Sequence, residues 1–239
     1  MDESYKPSSY WQTRLSAKFD LRGVGHIAFG RGYNRWLYKR KKHVLSTFLG
    51  KTDLAGKRVL DVGCGTGFFV SYFIDKGAEV YGLDITEISV SQLREQYSGT
   101  FSRQDIGSKD FVPPAIVDIV NVWDVLYHIV DDDAFHTAAQ NMASTIKPGG
   151  LLLLDDFLAA PEDRTFGHHV KGRNMDTYQN VLQKHGFVLI ETVPLYRFLD
   201  TNICGRLDNS LGGLYFLLDM FFSKPSKDAL CFSAWRYEP

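Results

Sequence analysis

The residues with chemistry to offer are a glycine loop and the aspartates around it. Gly63, Gly65 and Gly67 stand directly after the apolar run Val59-Leu60-Asp61-Val62 and before Phe68-Phe69-Val70. An unbroken β-branched and aliphatic run is what a strand buried on both faces requires. Glycines at the following positions let the backbone turn sharply and leave room where a Cβ would stand. Phe68, Phe69, Val70, Tyr72 and Phe73 then begin an apolar face at helical spacing. Strand, glycine turn and helix start, in that order, make a nucleoside-cofactor loop at the carboxyl end of a first strand.

The spacing narrows the ligand. A dinucleotide loop is G-x-G-x-x-G, with its pyrophosphate on the helix N-terminus. Here the glycines fall as G-x-G-x-G, and Phe68 takes the place of the last glycine of that pattern. Asp61, two residues before the loop, would repel a pyrophosphate and suits a cationic ligand. Asp84 closes a predicted second strand, Glu79–Leu83, 23 residues beyond Asp61. A carboxylate there can accept both hydroxyls of a ribose.

The stretch Val59-Leu60-Asp61-Val62-Gly63-Cys64-Gly65-Thr66-Gly67 resembles the first motif, V-L-D-x-G-C-G-x-G, of the class I S-adenosylmethionine-dependent methyltransferases, and matches it at every defined position. The resemblance covers roughly residues 58–193 and the final strand. It implies S-adenosylmethionine as methyl donor, S-adenosylhomocysteine as product, and a doubly wound α/β sheet of seven strands with the last antiparallel, a Rossmann-like methyltransferase fold. It implies cofactor contacts from Asp61, Gly63, Cys64, Gly65, Gly67 and Phe68 in the loop. Asp84 would hold the ribose and Ile85 would lie against the adenine. After a short third strand, Asp105 would take the adenine amino group and Ile106 would flank the ring. Trp123, after the fourth strand (Ile116–Val122), would border the methionine part of the cofactor. Some relatives carry an arginine on a helix before the first motif that binds the cofactor carboxylate, and Arg40 matches that place. The turn Lys147-Pro148-Gly149-Gly150 before strand Leu151–Leu154 is a further likeness. Metal-dependent catechol-type members place acids at the ends of strands four and five, as Asp124 and Asp155 stand here. The usual Asp-Asn pair is absent, so no metal is expected.

The elements that must position these groups follow from periodicity. Residues 31–49 read as a helix, with Tyr33, Leu37, Val44 and Phe48 within about 60° of arc at 100° per residue. Most of Lys39-Arg40-Lys41-Lys42 projects away from that stripe as a solvated face, and Arg40 falls beside it. Tyr10, Trp11 and Arg14 fall on an earlier short helix broken by Gly23 and Gly25. Residues 157–173 show no period and read as a substrate lid. Leu195–Lys227 interrupt the hairpin of the last two strands and carry the apolar run Leu211–Phe222, which would cover the substrate pocket or an oligomer contact.

Composition sets the outer bounds. A chain of 239 residues fits one domain: a helical cap over 1–50, a core with the cofactor site over 51–193, and an insert and final strand over 194–239. Net charge −1 and the lack of an N/D-P-P-Y/F signature after strand four argue against nucleic acid as partner. Leu211–Phe222 is too short to span a bilayer. Three scattered cysteines, Cys64, Cys204 and Cys231, and an N-terminus without an apolar signal core suit the cytoplasm. The expected activity is methyl transfer to a small-molecule acceptor of an apolar, aromatic pocket, on oxygen ahead of nitrogen, with His128, His168 and His169 as candidate bases and a homodimer as a possible assembly. A small-amine N-methyltransferase and a non-catalytic S-adenosylmethionine-binding homologue are the alternatives.

Overall fold

A computed structural model describes residues 5–50, 52–200, 209–222 and 230–239. Its strands are β1 (Arg58–Val62), β2 (Glu79–Asp84), β3 (Thr100–Arg103), β4 (Val117–Val122), β5 (Ile146–Asp156), a two-residue pair β6 (Arg164–Thr165) and β7 (Lys171–Gly172), β8 (Phe187–Pro194) and β9 (Cys231–Tyr237). Seven of them form one sheet in the order β3-β2-β1-β4-β5-β9-β8. β3 to β5 run parallel to β1, and β9 runs antiparallel to both β5 and β8. This is the doubly wound seven-stranded sheet expected, with its last strand reversed.

Alternate residues of each buried strand feed opposite faces. Val59, Ile119, Leu153 and Phe232 enter the core shared with helices α3 (Arg31–Leu49), α4 (Phe68–Ile74) and α5 (Glu87–Gln96). Leu60, Val120, Leu152 and Trp235 enter the core shared with α6 (Asp132–Thr145) and α7 (Met175–Leu182). Side-chain caps fix where the helices begin: Thr86 accepts from Ser89 N, Asp131 from Ala134 N and Asn174 from Thr177 N. β5 is longer than predicted. Ile146 already pairs with Val117, residues 147–150 are passed over in the register, and pairing resumes at Leu151 with Ile119. The Lys-Pro-Gly-Gly turn is therefore a bulge within a strand.

Two N-terminal helices, α1 (Pro7–Ala17) and α2 (Leu21–Val24), lie across the carboxyl ends of the strands, where Gln12 Oε1 accepts from Glu87 N and Ser8 Oγ donates to Ile85 O. The insert contributes α8 (Gly212–Phe222), which packs on α3 through Trp36 and Phe216, ring centroids 5.4 Å apart. Its one acid, Asp219, is fully buried and accepts from the backbone N–H groups of Arg197, Phe198 and Leu199 at 2.7, 2.8 and 2.9 Å. The insert thus clamps the segment after β8 beside α3. Residues 201–208 and 223–227 of the insert, Cys204 among them, lie outside the described residues. Among the described residues no helix is long and apolar enough to cross a membrane.

Candidate active site

The glycine loop is pinned to the end of β2. Gly63 N and Cys64 N both donate to Leu83 O, at 2.7 and 3.0 Å, and Gly65 N donates to Asp84 Oδ2 at 2.9 Å. Asp84 Oδ1 accepts from Thr86 N at 2.9 Å and Thr86 Oγ1 at 2.7 Å. Three donors therefore aim this buried carboxylate, whose proton affinity is raised above the ordinary range by burial. Gly63 (φ +69°) and Gly65 (φ +50°) adopt backbone that an L side chain resists, and a Cβ on Gly63 would overlap Val125 Cγ2. Gly67 faces elsewhere: its missing Cβ lets Leu93 and Tyr97 of the α5 region approach. It serves helix packing and lines none of the three cavities described below.

Asp61 pairs in register with Asn121 and accepts from its Nδ2 at 2.6 Å. Asn121 Oδ1 in turn accepts from Trp123 Nε1 at 2.7 Å. This chain fixes the Trp123 indole, which stacks between Phe69 and Phe232 at 5.0 and 5.4 Å. Burial pushes Asp61 up to about 7, offset in part by the Asn121 bond.

Three cavities meet above the loop. The first, about 270 Å³, is lined by Gly63, Gly65, Asp84, Ile85, Asp105, Ile106 and Trp123 and roofed by Tyr5, Trp11 and Leu15. The second, about 30 Å³, lies between Asp61, Cys64, Phe68 and Phe69. The third, about 550 Å³, is walled largely by aromatic rings, among them Tyr10, Tyr33, Tyr127, Phe157, Phe166 and Tyr196. Val24 and Asp124 line all three. An acid pair, Asp84 and Asp105, flanking apolar Ile85 and Ile106 fits a nucleoside. A small acid-lined niche beside the glycines fits the cationic tail of the same molecule.

Asp124 is where the geometry concentrates. Its φ is +58°, alone among the described non-glycine residues in being positive. Such backbone costs of order 1–3 kcal/mol and persists where surroundings enforce it. Here Asp124 N donates to Asp155 Oδ1 at 2.7 Å, and Lys41 Nζ bridges Asp155 Oδ2 (3.0 Å) and Asp124 Oδ1. Tyr127 Oη donates to Asp124 Oδ1 at 2.6 Å and Tyr38 Oη to Oδ2 at 3.3 Å. Lys41 is 1% exposed and Asp155 fully buried, whereas the Asp124 side chain keeps 17% exposure toward the cavities. Burial alone would raise Asp124, but the Lys41 charge and the hydrogen bonds outweigh it and hold Asp124 below the usual carboxylate range. Burial and the neighbouring Asp124 charge push Asp155 up, against the pull of Lys41. The pair shares one ammonium between two carboxylates.

His128 lines both large cavities, and its Nδ1 donates to His169 O at 2.8 Å. The carbonyl can only accept, so Nε2 carries the free lone pair. Burial lowers His128 to about 4, so the ring is neutral at physiological pH. His169 lines the third cavity and stacks on His128 at 5.7 Å. His168 is exposed, lines none of the cavities and contacts the Tyr5 ring at 5.9 Å.

Arg40 lies away from the three cavities, its Nε donating to Leu195 O at 2.5 Å; Lys41, placed with the solvated face from sequence, is the helix cation that lines the third cavity. Both residues flank the apolar stripe of α3, about 50° to either side of its centre at 100° per residue. The Arg40 edge meets the segment clamped by Asp219, and the Lys41 edge meets the ends of β4 and β5. Helical angle could have nominated Lys41; nothing in the sequence could choose between the two edges. Asp124, considered there only as a metal ligand, and Val24 were missed as junction residues.

The profile of the methyltransferase-domain family matches residues 33–192. The chain belongs to that family. A phosphoethanolamine N-methyltransferase of wheat (Triticum aestivum) is 31% identical over 156 residues, covering 59% of this chain and 30% of that protein. A ubiquinone biosynthesis O-methyltransferase of Azoarcus sp. (strain BH72) is 36% identical over 106 residues, 42% of this chain and 44% of that protein. The chain thus spans under half the length of either. The magnesium protoporphyrin IX methyltransferase (ChlM) of Synechocystis PCC 6803, solved with bound SAM, superposes with a TM-score of 0.65 at 17% identity, covering all of both chains. Membership makes S-adenosylmethionine the donor to test against the loop. Asp84→Ala should weaken S-adenosylhomocysteine binding at least tenfold, about 1.4 kcal/mol, by calorimetry; unchanged affinity would remove Asp84 from the ribose.

Proposed function

We propose that this chain transfers the methyl group of S-adenosylmethionine to a hydroxyl of a small, flat acceptor held in the aromatic cavity. The observation that carries this is the Asp124 carboxylate, partly open at the point where the three cavities meet. The donor, when bound, supplies an electrophilic methyl on a sulfonium. What the chain must add is alignment, exclusion of water and a place for the hydroxyl proton.

Ile85, Asp84, Asp105 and Ile106 orient the nucleoside, and Asp61, Gly63 and Cys64 the amino-acid tail. The rings of Trp11, Tyr127 and Phe157 present a flat acceptor edge to the Val24–Asp124 junction. Asp124 accepts the hydroxyl proton. As part of a buried pair sharing one ammonium, it draws on the second carboxylate's raised proton affinity, so the pair titrates as a unit. His128, already neutral, shapes the junction and donates to His169 O. His128→Ala should therefore slow the methyl-transfer step by about tenfold or less, with the pH dependence between 5 and 8 unmoved, since a ring titrating near 4 has no transition there. A lost transition in that window would make His128 the base.

An acceptor panel of phenols, aliphatic alcohols and amines, assayed with isotopically labelled donor, tests the reading: labelled methyl should appear on phenols. Label on amines alone would favour the second reading, N-methylation, which the wheat relative supports and which a carboxylate beside aromatic rings also suits. Donor binding with no transfer across the panel would favour the non-catalytic homologue.

A further inference from the structure

The aromatic cavity has a second polar group, a cation that pairs with no carboxylate among the described residues. Arg14 lines it from α1. The guanidinium lies over the Trp11 ring, 4.9 Å from its centroid, and its bonds go to Tyr10 Oη (3.5 Å), Arg22 O (3.4 Å) and Gly25 O. Among the described residues it forms no ion pair with a carboxylate. Arg14 Nε is buried without a hydrogen-bond partner, and so are the Nδ1 atoms of His26 and His169, two further residues of the same cavity. A buried donor left unmade costs far more than a made bond returns, and the cost is larger on a charged group. Three orphan polar atoms on residues that line one cavity are a feature that calls for an explanation.

Of the cavity's other charged groups, Lys41 and Asp124 bond each other, and the Asp200 carboxylate acts on Tyr196. Arg14 is thus the lining cation without a carboxylate partner among the described residues. Its field, secondary to burial, helps lower His26, His128 and His169, so the histidines beside it are neutral and add donors or acceptors without adding charge. A guanidinium fork without an ion pair, with neutral ring nitrogens beside it, matches a planar monoanion. Trp11 links the two poles: Arg14 stacks on one part of it, and its ring contacts His128 at 4.9 Å, next to the junction.

We propose that the acceptor is a hydroxylated aromatic carboxylate, its carboxylate received by Arg14 with His26 and His169 and its hydroxyl presented to Asp124. The proposal rests on the assignment of this cavity to the methyl acceptor and names the end of the molecule that assignment leaves open. Arg14 acts by binding, so its effect falls on acceptor affinity.

The test uses the full chain saturated with S-adenosylhomocysteine and two probes, 4-hydroxybenzoate and its neutral amide, 4-hydroxybenzamide, titrated by calorimetry. The acid should bind about tenfold or more tightly than the amide. Arg14→Gln should abolish that preference, and Arg14→Lys should restore part of it. Histidine NMR titrations should show His26 and His169 rising on binding of the acid, because an anion beside them offsets the Arg14 field, and not rising in Arg14→Gln. Equal affinity for the two probes, absence of binding by both, or an acid preference surviving in Arg14→Gln would each overturn the proposal. Tighter binding of 4-hydroxyphenyl phosphate than of the acid would overturn the carboxylate assignment in favour of a phosphate. The S-adenosylhomocysteine titration separates the two levels: if it binds and the acid preference is absent, the anion subsite falls and methyl transfer stands; if it does not bind, the donor site itself is wrong.

Discussion

Asp124→Asn should cut the single-turnover rate of methyl transfer by about 10²-fold or more and leave S-adenosylhomocysteine affinity within about threefold. The substitution keeps the shape at φ +58°, a region asparagine tolerates better than most residues. It keeps an acceptor oxygen for Tyr127 Oη and leaves Lys41 paired with Asp155. What it removes is the partly exposed carboxylate at the cavity junction, and with it the group that receives the hydroxyl proton. Wild-type activity should also fall as pH falls, because the buried pair fills with a proton and the acceptor loses its base. Asp124→Asn should flatten that limb. His128 cannot produce it, since its neutral form is already complete well above pH 4. If Asp124→Asn turned over at the wild-type rate, the proton would have to leave by another route, with His128 Nε2 the next group in reach of the junction.

The parts of this site that could be read from sequence are those built from contiguous residues. The loop Gly63–Gly67, the strand before it and Asp84 at the end of the next strand form one local unit, in which spacing alone dictates backbone course and hence position. Asp105, Ile106 and Trp123 are legible for the same reason, each standing just past the end of its strand. The acceptor cavity is of another kind. Its walls come from α1, α2, α3, the turn after β4, the segment around β6 and β7, and the stretch after β8. No spacing rule connects Arg14 with His26 and His169, or Lys41 with Asp155. The Arg40–Lys41 pair marks the boundary: the helix and its stripe were readable, while the assignment of each edge to a neighbour depended on how the insert closes over α3. The buried Asp219 explains why an acid interrupts an apolar run, and its partners, three successive backbone N–H groups more than 15 residues away, are likewise invisible to periodicity.

That dependence makes Lys41 the residue whose loss should be felt most in stability. Lys41→Met should destabilise the fold by about 3–5 kcal/mol at neutral pH, the cost typical of removing one partner from a buried ion pair. Methionine approximates the length and volume of the lysine stem, so packing against Trp123 and Tyr38 is largely kept and the charge is the variable. The pH dependence carries the signature. In the wild type, Asp124 is held below its ordinary range, so its contribution is present above the unfolded-state pKa and lost as pH falls through the folded one. Without the ammonium, burial raises both Asp124 and Asp155. A carboxyl raised on folding favours the native state below the unfolded-state pKa and loses that contribution as pH rises through the folded pKa. Urea midpoints of Lys41→Met should therefore climb toward the wild-type value between pH 8 and pH 5. Adding Asp124→Asn should recover part of the loss at neutral pH, since the residual Asp155 is protonated at less cost than a charged pair. The double-mutant cycle should return a coupling of about 1–3 kcal/mol. A pH-independent deficit, or strict additivity of the two substitutions, would show that Lys41 supports the site by packing and that the two carboxylates are neutralised by other means.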